Sequence, residues 1–124
     1  MLLLEMYEEF RIEFPGITAK ADSIHVKQWG SLDPDDAYSW FESLANALNG
    51  EMRRGTAPTH YKDLFEYFRK KYLFEDDDIK NCIDVAFTEN LFWQVNEEKS
   101  APYWKQLPDT IKSLYKGFHG KSPA

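Results

Sequence analysis

Glu75 to Val95, EDDDIKNCIDVAFTENLFWQV, is the stretch that most restricts what this chain can fold into. Three aspartates stand near its start, and Ile79, Cys82, Ile83, Ala86, Phe87 and Leu91 then recur at the spacing of one face of an amphipathic helix. Val85, Phe92 and Trp93 fall off that stripe, so a second side is partly apolar. A helix apolar on two sides needs neighbours on both. The sequence therefore predicts a helical domain built around residues 75–95.

The flanking segments supply those neighbours. Residues 2–14 predict a first helix with Leu3, Met6, Tyr7, Phe10 and Phe14 inward, ended by Pro15-Gly16. Residues 17–32 read as a short helix followed by an irregular segment, because Ile24 to Trp29 alternates weakly as a strand would. Asp33-Pro34-Asp35-Asp36 is the clearest helix start: a capping side chain, a proline at the first helical position, and acids at the positive end of the dipole. Ala37, Trp40, Phe41, Leu44, Ala45, Leu48 and Met52 form its apolar face, and Gly55 supplies the stop. A helix over 59–72 follows, with Tyr61, Leu64, Phe65, Phe68 and Tyr72 inward. Asn96 to Lys99 reads as a polar linker, Ser100-Ala101-Pro102 as the start of a short helix, and Pro108 as the start of the last, which buries Ile111, Leu114, Tyr115 and Phe118. The expected fold is all-α, one domain over residues 1–124, an irregular bundle of about six helices packed as antiparallel hairpins.

Charge and cysteine content narrow the function. Twenty-one acids against fifteen bases give a net charge of −6. That disfavours nucleic acid and anionic membrane as partners and favours a basic protein. A single cysteine, Cys82, rules out a disulfide within the chain, and no apolar run resembles a leader or a membrane span, so the cytoplasm is expected.

No catalytic motif emerges. His25, His60 and His119 are far apart, zinc-finger spacing is absent, and there is no GxSxG, Walker or GxGxxG sequence. Cys82 lies on an apolar face, as a buried structural thiol does. The run Glu75-Asp76-Asp77-Asp78 lacks the glycine and closing glutamate of a calcium loop and is read first as dipole compensation. The expectation is a protein that is not an enzyme and carries no cofactor or metal. More suggestive is Asn90-Leu91-Phe92-Trp93-Gln94 with Tyr103 and Trp104. These are more large rings than one stripe buries, so they either pack the central helix on the C-terminal pair or stand out as interface anchors.

The order of elements adds a resemblance. Tyr7-Glu8-Glu9-Phe10, Phe14-Pro15, a long helix, Val85-Ala86-Phe87-Thr88-Glu89-Asn90-Leu91, and Leu107-Pro108 opening a final helix together resemble small, acidic, mostly helical bacterial proteins. Some of these sit beside toxins of contact-dependent and other polymorphic toxin systems as immunity proteins. The likeness runs over most of the chain and is thinnest between Ile17 and Leu32. It implies an inhibitor that binds one cognate toxin domain, for instance a nuclease, whose basic site would attract an acidic protein. The candidate contacts, chosen by composition, are Asp76, Asp77, Asp78, Trp93, Glu97, Glu98 and Trp104. The alternative is a general helical interaction or adaptor protein, or a homodimer, using the same aromatic surface.

Overall fold

The computed structural model describes residues 1–123, and these form seven α-helices with no strand. The all-α class expected from the periodicity is the class observed. Helix α1 (Leu3–Glu13) turns Met6, Tyr7 and Phe10 inward. Phe14 alone links it to α2 (Pro15–Trp29), in which Pro15 takes the first helical position, where a missing N–H costs nothing.

The irregular segment expected within 17–32 is not there. Helix α2 runs unbroken to Trp29 and stops at Gly30, whose φ of +87° gives the left-handed turn. Its inner stripe is Ile17, Thr18, Ala21 and His25. His25 is the reason the pattern misleads. It lies on the apolar face yet is buried, and its Nδ1 meets the buried Ser43 Oγ at 2.9 Å.

Helix α3 (Ala37–Arg54) is entered through a 3-10 turn at Pro34–Asp36, where the Asp33 carboxylate accepts from the Asp35 N–H at 2.9 Å. It is the most enclosed element. Residues on both its sides are buried, including Trp40, Phe41, Leu44, Leu48, Asn49, Glu51 and Met52. Helices α1 and α2 lie against it, as does the segment after residue 82. The fold is thus built around α3, not around 75–95. Helix α4 (Lys62–Phe74), preceded by a 3-10 turn at Pro58–Tyr61, completes this block. Its Phe68 ring stacks on Phe87 at 4.2 Å and on Phe10 at 5.5 Å, and Phe10 meets Trp40 edge-on at 5.6 Å.

Three buried or half-buried carboxylates brace the block. Asp22 accepts from both terminal Nη groups of Arg11 at 2.7 and 2.8 Å and from the Trp40 indole N–H at 2.8 Å, tying α1, α2 and α3 together. Glu9 accepts from the Tyr67 hydroxyl at 2.8 Å and pairs with Lys71 at 2.9 Å. Glu51 is buried on α3 and accepts from Lys20 at 2.7 Å, from the Tyr61 hydroxyl at 2.6 Å and from Arg54 Nε at 2.8 Å. Burial alone would raise the Glu51 pKa. The hydrogen bonds from Lys20, Tyr61 and Arg54 outweigh it and hold the carboxyl down at about 2.

The expected central helix is cut into pieces. Helix α5 (Asp77–Asn81) is one short stretch, Cys82–Phe87 widens to a π-helix, and Thr88–Asn90 tightens to a 3-10 turn. In one continuous α-helix Phe92 would lie off the stripe that starts at Ile79, and Leu91, which the sequence placed on it, would stand at its far edge. Breaking the helix at Asn90 lets both turn inward, and both are buried. Cys82 is fully enclosed, and burial followed by the nearby Glu42 charge pushes its thiol up to about 12, where it is inert.

Helix α6 (Glu97–Gln106) starts three residues before the expected point. The Asn96 side chain caps it by accepting from the Lys99 N–H at 2.9 Å, so the supposed linker is its first turn. Pro102 sits inside the helix and leaves the carbonyl of exposed Glu98 without its helical partner. Helix α7 (Asp109–His119) packs on α4 and on the turn at Thr88–Asn90. One cluster of buried residues runs from Met6 to Tyr115. No helix among the described residues is long and apolar enough to cross a membrane.

Candidate binding surface

Where the π and 3-10 segment ends, the chain reverses through residues 91–96, and most of that reversal is pinned. Asn49 interrupts the apolar stripe of α3 and is fully buried. Its Nδ2 donates to the Asn90 carbonyl at 2.8 Å and its Oδ1 accepts from the Phe92 N–H at 2.7 Å. One turn later, Arg53 reaches the carbonyls of Trp93 and Gln94, both at 3.4 Å. The Val95 N–H closes back on the Phe92 carbonyl at 3.2 Å, and Ser100 donates to the Val95 carbonyl at 3.3 Å.

This reversal carries two left-handed residues that are not glycine, Phe92 at φ +69° and Gln94 at φ +53°. Each such residue costs about 1 kcal/mol or more and persists only where its surroundings hold it. Between them stands Trp93, 61% exposed. The ring is displayed by a turn that α3 fixes from below.

Behind the turn lies a ladder of rings. Phe92 meets Tyr115 at 5.4 Å and Trp104 at 6.0 Å, Trp104 meets Tyr115 at 5.6 Å, and His119 stacks on Tyr115 at 4.1 Å. His119 also holds the turn through a contact of its Nε2 with the Glu89 carbonyl at 3.0 Å. A cleft of about 420 Å³ opens here, lined by Phe92, Glu97, Tyr115, His119 and Lys121 among others.

The candidate contacts named from the sequence fall into two groups on different supports. Trp93, Trp104, Glu97 and Glu98 border the turn and α6, which rests on α3 and on the 3-10 turn at Pro58–Tyr61. Trp93, Glu97 and Glu98 are exposed, Glu97 lines the cleft, and Trp104 is half-buried in the ladder. Asp76, Asp77 and Asp78 belong instead to the start of α5, which rests on α4. Asp76 caps that helix by accepting from the Ile79 N–H at 3.3 Å, and Asp77 and Asp78 fill its exposed first turn.

Sequence reasoning missed two features. Asn49 and Arg53 are the clamp, and their signal was a polar residue at a stripe position with an arginine one turn on. The second is charge: the half-buried Trp104 is flanked by cations, with the Lys112 and Lys116 ammonium groups each 5.8 Å from its ring. Lys112, Lys116 and His119 recur at the spacing of one face of α7, which was legible in the sequence. Among the described residues no three His, Cys, Asp or Glu side chains gather as a metal site requires.

No curated protein and no solved structure matches the chain. A family model does match, over residues 7–120, which takes in α2 to α7 and most of α1, and by that match the chain belongs to the family described as a domain of unknown function, DUF7674.

Proposed function

We propose that this protein is an immunity protein that binds a cognate bacterial toxin domain in the cytoplasm and neutralises it by protein–protein contact. The observation that carries the reading is Trp93. A large ring stands exposed on a turn that pairs two left-handed residues with a buried clamp, and such local cost is characteristic of segments kept for what they present. Tryptophan is also among the residues that dominate binding energy at interfaces. Glu97 and Glu98 supply an acidic rim beside it, and Asp76, Asp77 and Asp78 a second acidic area. With the net charge of −6 these features suit a basic domain such as a nuclease, whose phosphate-binding site is positive. Inhibition of this kind asks no catalytic group or cofactor of the chain itself.

The test is co-expression with the toxin domain encoded beside this protein, reading growth and the affinity of the purified pair. Rescue by the wild type, with Trp93→Ala losing at least about tenfold in affinity at unchanged melting temperature, is the expected result. A lethal neighbour that this protein neither binds nor neutralises overturns the reading.

A second reading, an adaptor that acts as a homodimer, draws on a different surface. Leu2, Leu4, Leu73 and Phe74 are exposed where the N-terminus meets the end of α4, the Met1 ammonium lying 3.0 Å from Glu75. Dimerisation in sedimentation that Phe74→Glu abolishes would favour it.

A further inference from the structure

The charge of this protein is divided along the chain. Residues 1–98 carry ten bases against twenty acids, whereas residues 99–124 carry five lysines against one acid, Asp109. The ion pairs follow the same division. Every one among the described residues lies between Met1 and Glu75. None of Lys99, Lys105, Lys112, Lys116 and Lys121 has a carboxylate within ion-pair distance among the described residues.

Two of these lysines are held in place all the same. Lys112 and Lys116, one turn apart on α7, set their ammonium groups over the Trp104 ring. The aromatic face attracts the cations. The ring is in turn fixed edge-on by Phe92 and Tyr115. The positive charges are therefore pre-organised on a rigid aromatic floor, and less rotamer freedom is lost when an anion arrives. Lys121 extends the positive edge along the cleft, whose volume of about 420 Å³ has room for one large side chain.

We propose that this α7 ledge, with Lys112 and Lys116 over Trp104 and the cleft beside Phe92, docks a carboxylate-rich segment of a partner protein that carries an aromatic or aliphatic anchor. The inference goes beyond neutralisation of a basic domain, because it assigns to the lysine face of α7 a partner segment of the opposite charge to that domain. Nucleic acid is the weaker occupant. The chain as a whole repels a long polyanion with its net charge of −6. A short acidic segment meets the local charges, where Lys112, Lys116 and Lys121 outnumber Glu97 of the cleft lining, since beyond about 8 Å the remaining charges are screened at physiological salt.

The experiment titrates the full-length protein against three fluorescein-labelled probes. They are a ten-residue Asp/Glu peptide with one central Phe, its Asn/Gln isostere, and a dT12 oligonucleotide. Binding of the acidic peptide that weakens with salt, at least about tenfold tighter than binding of the isostere, is the expected result. Lys112→Glu with Lys116→Glu should remove about tenfold or more of that affinity while the circular dichroism and melting curve stay as in the wild type. Lys121→Glu, at an exposed position after α7, should lose a smaller factor. Equal binding of peptide and isostere, or tighter binding of the oligonucleotide, overturns the proposal. So does self-association that the double reversal abolishes, which would make a second copy of the acidic half the occupant.

Discussion

The block formed by α1 to α4 and the part that follows Asn90 use polar groups in opposite ways. In the block, Asp22, Glu51 and Glu9 are each matched by two or more donors from other elements, and the rings of Phe10, Trp40 and Phe68 pack on one another. After Asn90 the lysines carry no carboxylate partner among the described residues, a Trp stands in solvent, and order comes from hydrogen bonds that α3 sends outward through Asn49 and Arg53. One region spends its interactions on itself. The other is held rigid but left unsatisfied at its surface, which is the arrangement expected of a part that meets something else.

The comparison breaks first if stability is spread evenly. Phe68→Ala should cost about 4 kcal/mol, because it leaves a cavity among Phe10, Phe41 and Phe87. Phe118→Ala on α7, an exposed ring, should cost less than about 0.5 kcal/mol. Urea unfolding of the two variants measures the difference, and equal losses would abolish the distinction.

Asn49→Ala tests whether the second region depends on the first. It removes both hydrogen bonds to the Asn90–Phe92 backbone, leaving the Phe92 N–H buried and unpaired, at a cost of about 2–3 kcal/mol. Hydrogen exchange should show the loss of protection at Phe92 and Val95 first, with α1 to α3 following only on global unfolding. Uniform loss of protection would mean that the turn is an ordinary part of the core.

Acid sharpens the contrast from the other side. The Glu51 carboxyl has a folded pKa of about 2 against an ordinary value of 4.5. A depressed folded pKa contributes stability that is full above the unfolded value and is lost as pH falls through the folded one. The loss therefore falls between about pH 4.5 and pH 2. About 2 kcal/mol is at stake, less at high salt, because Lys20 and Arg54 are half exposed. Glu51→Gln should flatten the acid limb of the stability curve over that window. Lys112→Gln should leave it unchanged.

The sequence showed the helices and hid the reversal, and the reason is physical. Apolar periodicity records which residues need burial, and Ile79, Cys82, Ile83, Ala86 and Phe87 are all buried as the pattern demands. It does not record where an i to i+4 ladder gives way. Leu91 and Phe92 were visible as apolar residues, but that they are buried by breaking the helix depends on Asn49, forty-three residues from Phe92 in sequence. His25 shows the same limit: its partner Ser43 lies on another helix, and from the sequence Ile24 to Trp29 read only as a weak alternation. The surface was legible in part. Of the residues singled out by composition, Glu97 lines the cleft and Trp104 packs on its Phe92 and Tyr115, whereas Trp93 stands on the turn outside it and the three aspartates at the start of α5 serve another element. Lys112 and Lys116 were passed over because a lysine on a surface helix is ordinary, and only the position of Trp104 gives them meaning.

The smallest effect is the most direct probe of the turn. Gln94 is exposed and holds φ +53°, and the group it contributes to the clamp is its carbonyl, which any residue supplies. Gln94→Gly keeps that carbonyl and removes the steric cost of a side chain in the left-handed region, offset in part by the greater freedom of glycine in the unfolded chain. The variant should gain about 0.5–1 kcal/mol in urea unfolding. Gln94→Val, β-branched at the same φ, should lose at least as much. If the two variants are equally stable, the left-handed turn is not held in solution. Trp93 would then be a side chain on a loose loop, and the difference between the two regions would reduce to the core.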